Sequence, residues 1–171
     1  NANGTTAGFP VVKLESPDVT DGLDIGAQIT ALGSDGDYVV AWYGRGSANS
    51  SNMNIYVQRF NGNGTTKGAL IKIESPLVNS TFVENPQIVS VGTEGAFVVV
   101  WDGVNPNSST SQIAVQQFNA DGTTGSSTQF DVYVNTFGPD TKPQVASIGN
   151  EGAYVVVWSA EDSSRPPGAF N

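Results

Sequence analysis

One five-residue block occurs three times in this chain, and its recurrence limits the fold more than any other feature. Tyr38-Val39-Val40-Ala41-Trp42, Phe97-Val98-Val99-Val100-Trp101 and Tyr154-Val155-Val156-Val157-Trp158 place their tryptophans 59 and 57 residues apart. Each block follows a Gly-rich turn: Gly33-Ser34-Asp35-Gly36, Gly92-Thr93-Glu94-Gly95 or Gly149-Asn150-Glu151-Gly152. Each turn follows a Gln-aliphatic pair: Gln28-Ile29, Gln87-Ile88 or Gln144-Val145. After Trp42 and Trp101 a polar loop leads to Ile55-Tyr56-Val57-Gln58-Arg59-Phe60 and Ile113-Ala114-Val115-Gln116-Gln117-Phe118. These run into Asn61-Gly62-Asn63-Gly64-Thr65-Thr66 and Asn119-Ala120-Asp121-Gly122-Thr123-Thr124, and Asn1-Ala2-Asn3-Gly4-Thr5-Thr6 is a third copy of that turn. Self-similarity at a fixed period marks a repeat architecture, in which each unit buries its apolar face against its neighbours.

The repeat reads as four strands. Residues 55–60 alternate enough to form a half-buried strand, and the Asx-Gly turn after them is a strong hairpin signal. A second strand is clearest over 129–135, where Phe130, Val132 and Val134 face one way and Asp131 and Asn135 the other. Residues 144–148 form the third. The apolar run 154–158 forms the fourth and should be central, because it can bury both faces. Pro86 and Pro143 belong at strand entrances, where a missing N–H costs no ladder bond. No stretch shows helical periodicity. The expected fold is all-β: three repeats of about four antiparallel strands in a propeller-like or three-sheet pseudo-symmetric arrangement, with a β-sandwich as the alternative.

Cut at that phase, the single repeat domain 1–171 divides into 1–48, which lacks its first strand, then 49–106 and 107–160. Residues 161–171 are a linker and a completing strand. Phe170-Asn171 has the phase of Phe60-Asn61 and Phe118-Asn119. Pro167, Gly168, Ala169, Phe170 and Asn171 are therefore the candidate assembly residues. They would complete repeat one of their own chain, or of the next chain by head-to-tail strand addition. Arg165-Pro166-Pro167 would hold them out as a stiff extended linker. The chain opens on Asn1 without Met or a signal peptide, as expected of a processed or excised polypeptide.

Composition excludes several kinds of chemistry. With no Cys and no His, the 171 residues offer no disulfide, thiol nucleophile, Ser-His-Asp triad or ordinary zinc or haem site. Seven Lys+Arg against sixteen Asp+Glu give a net charge of −9, which argues against a phosphate-binding groove and a nucleic-acid partner. No apolar run approaches the roughly 18 residues of a membrane span. The acidic, hydroxyl- and amide-rich composition suits a secreted or cell-surface protein.

These blocks resemble a β-repeat of large secreted bacterial surface proteins, often found beside cadherin-like or calcium-binding nonapeptide modules. That repeat reads roughly Gly-Gly-x-Val-Val-x-Trp, a polar loop, Ile-x-x-Gln-x-Phe, Asx-x-x-Gly, a valine-rich strand and Pro-x-Val/Ala. The stretches 152–158, 113–118, 119–122, 132–135 and 143–146 match it, as do 95–101 and 55–60. The resemblance implies propeller-like four-stranded units in an extracellular structural or adhesive protein. Three units are fewer than the four to eight blades of a closed propeller.

Candidate ligands are few. Asp18, Asp21 and Asp24, and Asp35 with Asp37, are hard oxygen donors at spacings that could hold Ca²⁺, but neither stretch matches the EF-hand loop or the calcium-binding nonapeptide, and solvated turn carboxylates are the preferred reading. Asn3, Asn49, Asn63, Asn79 and Asn107 begin Asn-x-Ser/Thr sequons and are candidate glycan acceptors. Trp42, Trp101 and Trp158 recur at one strand end, which predicts core packing rather than sugar stacking. The recurrent Gln28, Gln87, Gln144, Gln58 and Gln116 are expected to satisfy backbone groups, and Tyr43 and Tyr133 to face solvent. The expectation is a non-enzymatic, self-associating extracellular structural protein without cofactor: a protomer of a filament, surface layer or large adhesin. A carbohydrate- or calcium-binding module is the alternative.

Overall fold

The computed structural model describes residues 13–14, 24–45, 53–73, 82–105, 110–131 and 142–159. Within them lie ten strands and no helix: β1 (Asp24–Leu32), β2 (Asp37–Arg45), β3 (Met53–Phe60), β4 (Thr66–Ile73), β5 (Phe82–Val91), β6 (Ala96–Asn105), β7 (Thr110–Phe118), β8 (Thr124–Asp131), β9 (Gln144–Ile148) and β10 (Ala153–Val157). They form three antiparallel sheets, ordered β1-β2-β3-β4, β5-β6-β7-β8 and β10-β9. The protein is all-β, as its sequence predicts, and none of the sheets closes into a barrel.

The sheets group the repeated strands at a different phase from the partition 1–48, 49–106 and 107–160. Each begins on the Gln-aliphatic strand, and the Trp strand pairs with the Ile-x-x-Gln-x-Phe strand that follows it, as in Trp42 with Tyr56 and Trp101 with Ala114. The first sheet therefore has four strands, and the third is the one with two among the described residues. A tandem repeat has no intrinsic beginning; hydrogen bonding between strands sets the cut. Residues 161–171 lie outside the described residues, as do 132–135 of the strand expected over 129–135. What is described of that strand, β8, starts directly after its turn at Thr124.

The same local devices shape each unit. Residues two before each Gln adopt positive φ: Gly26 at 66°, Asn85 at 51° and Lys142 at 25°. In β1 and β5 they lie in register shifts between Ile25 and Gln28 and between Glu84 and Gln87. Pro86 thus sits at a bulge inside β5 rather than at a strand entrance, and the bulge is what tolerates its missing N–H. Gly26 could not be replaced, since a Cβ there would stand 2.4 Å from the Tyr43 ring. Tyr43 is half-buried against the first core, against the expectation that it faces solvent, and burial raises its pKa above the usual 10.0. Gln58 donates to the carbonyls of Arg59 and Gly68, at 2.9 and 3.3 Å, and Gln116 to those of Gln117 and Gly125, at 2.8 and 3.2 Å. Both span bulges, between Val57 and Arg59 and between Gln116 and Phe118, so the recurrent amides satisfy backbone groups that the ladder leaves over.

The sheets stack in chain order, face against face. The forward face of the first sheet (Leu32, Val39, Ala41, Ile55, Val57) packs on the rearward face of the second (Val83, Phe97, Val99, Trp101, Phe118). The forward face of the second (Val91, Val98, Val100, Ile113, Val115) meets Val145, Tyr154 and Val156 of the third. Strand alternation sends Val98 and Val100 one way and Phe97, Val99 and Trp101 the other, so β6 is buried on both faces, as an apolar central strand should be. Each fully buried valine contributes roughly 1.5–3 kcal/mol relative to exposure. The rearward face of the first sheet holds Val40, Trp42, Tyr56 and Phe60 beneath Leu14, Tyr38 and Leu70, with Trp42 stacked on Tyr56 at 5.8 Å.

Candidate assembly surface

Two side chains sew the stack together. Arg59 donates from Nη2 to the Ala120 carbonyl at 2.6 Å, joining the first sheet to the β7–β8 turn of the second. At the equivalent position Gln117 donates from Nε2 to the Tyr154 hydroxyl at 2.9 Å, joining the second sheet to the third. Neither was singled out from the sequence, where the signal was a long polar residue after an otherwise constant Gln. Arg59 is buried, and its Nε has no hydrogen-bond partner.

Arg59 floors a polar crevice of about 220 Å³ between the strand turns of the first two sheets, with Asp35, Asp37, Lys67 and Glu94 around it. Asp37 is paired with Lys67 and accepts from the Gly62 amide at 3.1 Å. The Lys67 hydrogen bond holds its carboxyl below the usual 3.8. Asp35 is exposed and accepts from Ser34 Oγ at 3.1 Å. Asp24 lies elsewhere and accepts from Trp42 Nε1 at 3.1 Å. Asp18 and Asp21 lie outside the described residues, and among those described no three acidic side chains converge as a metal would require.

Of the sequon residues, Asn63 is described and exposed. Its Oδ1 accepts from the Thr65 amide at 3.0 Å and the Thr65 hydroxyl at 2.7 Å. Asp121 makes the same two bonds to Thr123, at 2.8 and 2.6 Å, and they hold its carboxyl below the usual 3.8. A residue that cannot carry an N-glycan thus does the same work in the second unit, so the Asn63-Gly-Thr signal is first of all an Asx turn. Asn3, Asn49, Asn79 and Asn107 lie outside the described residues, as do Pro167, Gly168, Ala169, Phe170 and Asn171.

The third sheet departs from the other two. β2 and β6 each pair on both sides, whereas β10 pairs with β9 alone among the described residues. Trp42 and Trp101 are buried, at 2% and 0% exposure, but Trp158 is 38% exposed. Core packing was expected of all three. Trp42 stacks on Tyr56 of the adjacent β3, and Trp101 packs in the core shared with the first sheet; beside β10 no strand is described on the corresponding side. The described residues contain no helix long and apolar enough to cross a membrane. No family model, curated protein or solved structure matches the chain.

Proposed function

We propose that this chain is a non-enzymatic structural protein of the cell exterior, a protomer of a filament, surface layer or large adhesin that joins its neighbours head to tail by β-strand addition. The observation that carries this reading is the strand count. Two sheets pair four described strands each; the third pairs two described strands, and no strand is described on the side of β10 by which β2 and β6 hold β3 and β7. Such an edge is a template for an added strand. Residues 167–171 end in Phe170-Asn171, in phase with the ends of those same strands, Phe60-Asn61 and Phe118-Asn119.

Joining one end of a protomer to a different site on the next is heterologous and, if it does not close into a ring, yields open filaments. The propeller-like stacking of units and the exterior setting are supported by the shared repeat, the resemblance of its motifs and the acidic composition. With no Cys and no His, the chain has no thiol nucleophile and no imidazole base. The test is electron microscopy of the full chain beside a chain lacking residues 165–171. Filaments are expected to disappear with the deletion; filaments of unchanged length would end the reading.

A further inference from the structure

The described residues leave six large apolar side chains exposed, and all lie at the two ends of the stack: Ile25 and Ile29 on β1, and Ile148, Val155, Val157 and Trp158 in or next to the third sheet. The repeat states what their positions are for. Leu32, Val39 and Ala41 on the forward face of the first sheet are 4%, 0% and 0% exposed, because the second sheet covers them. Val91, Val98 and Val100 hold the same positions in the second sheet and are 7%, 0% and 0% exposed beneath the third. Ile148, Val155 and Val157 complete the series at 54%, 44% and 57%.

The covering element is also defined. In the inner interfaces the Gln-aliphatic strand of the later sheet lies against the earlier one: β5 touches β1, β2 and β3, and β9 touches β5. Ile88 on β5 and Val145 on β9 pack into those cores. Ile29 has the same position on β1 and is 64% exposed. The first and third sheets lie on opposite faces of the second, so Ile29 cannot reach Val155 within one molecule.

We infer that the forward face of the third sheet is a docking surface for a second copy of this chain, which seats β1 there with Ile29 over Ile148, Val155 and Val157. The contact repeats across the molecular boundary the part of the internal stacking that the Gln-aliphatic strand makes; Val40, Trp42, Tyr56 and Phe60 on the same rearward face are already covered within the chain. It rests on the self-association proposed above and adds a face to the strand edge. Because the two surfaces differ, it propagates from copy to copy without an internal limit.

The experiment is sedimentation equilibrium of the full chain and of two full-length variants, Ile29→Lys and Val155→Lys, each spoiling one surface. The wild type is expected to exceed dimer mass and grow with concentration. Each variant alone stays monomeric, and an equimolar mixture forms a heterodimer and nothing larger, since each retains one intact surface. A wild type that never associates, a variant that assembles as the wild type does, or a mixture that stays monomeric overturns the inference. Both positions are exposed, so melting temperatures should match the wild type; if Val155→Lys melts early, Val157→Lys replaces it and must meet the same outcomes. Association that survives loss of residues 165–171 but not Ile29→Lys upholds docking and ends strand addition. The opposite pair of results ends docking and leaves strand addition standing, and association abolished by both changes upholds both.

Discussion

The second and third sheets are built on nearly the same five residues, Phe97–Trp101 and Tyr154–Trp158 in numbering, yet they sit in opposite surroundings. In β6 every side chain from Phe97 to Trp101 is 0% exposed. In the third sheet Val155 and Val157 are 44% and 57% exposed, and Tyr154 and Val156 are half-buried against the second sheet. What differs is company: β6 has a strand on each side and a sheet on each face, whereas β10 has one described strand and one covered face. Burial in a repeat array is a property of the neighbours, because each unit's intrinsic stability is small beside its interfaces.

The comparison breaks most visibly at the tryptophans. Trp101→Ala should cost about 3–5 kcal/mol, the usual toll for emptying a fully buried aromatic site. Trp158→Ala should cost less, about 1–3 kcal/mol, since more than a third of that residue already meets water. Urea unfolding of both variants measures the ratio; equal costs would mean that the third sheet is as enclosed as the second.

A smaller effect concerns the bond that joins the two sheets. Gln117→Ala removes the donor to Tyr154 and should cost about 1 kcal/mol. In a Tyr154→Phe background the same change should cost much less, and a double-mutant cycle with no coupling would show that the 2.9 Å contact holds nothing together.

The weakest lever separates the first sheet from the other two, which carry Ala96 and Ala153 where it has Asp37. The folded pKa of Asp37 lies below its ordinary 3.8, with Lys67 the main cause. Its contribution is therefore fully present above that value and is lost as pH falls through the folded pKa. The pair is exposed, so the effect is small and screened by salt. Asp37→Asn should flatten the fall of melting temperature with acid slightly, and most at low ionic strength; an unchanged pH profile would remove the pair from the account.

Much of this was legible in the sequence. The Gln-aliphatic strand over 144–148 coincides with β9, the run 55–60 lies within β3, and the four-residue Gly-x-x-Gly turns have the same backbone in all three units, with φ near 60° at Gly33, Gly92 and Gly149 and above 79° at Gly36, Gly95 and Gly152. Gln58, Gln87, Gln116 and Gln144 donate to backbone carbonyls, as their position implied. Of the assembly surface, the sequence carried only the phase of Phe170-Asn171. The exposed face of the third sheet was not legible there, because Val155 and Val157 look no different from the buried Val98 and Val100.

The sequence by itself determined the period, the strands, their turns and the side on which each side chain stands, since these follow from alternation and local backbone preference over a few residues. Only the tertiary structure decided where one sheet ends and the next begins, that Arg59 and Gln117 link sheet to sheet, and that the exposed apolar side chains among the described residues lie at opposite ends of the stack. Those depend on which strand finds which partner, and on how many neighbours a unit has. Identical local sequences cannot encode that difference.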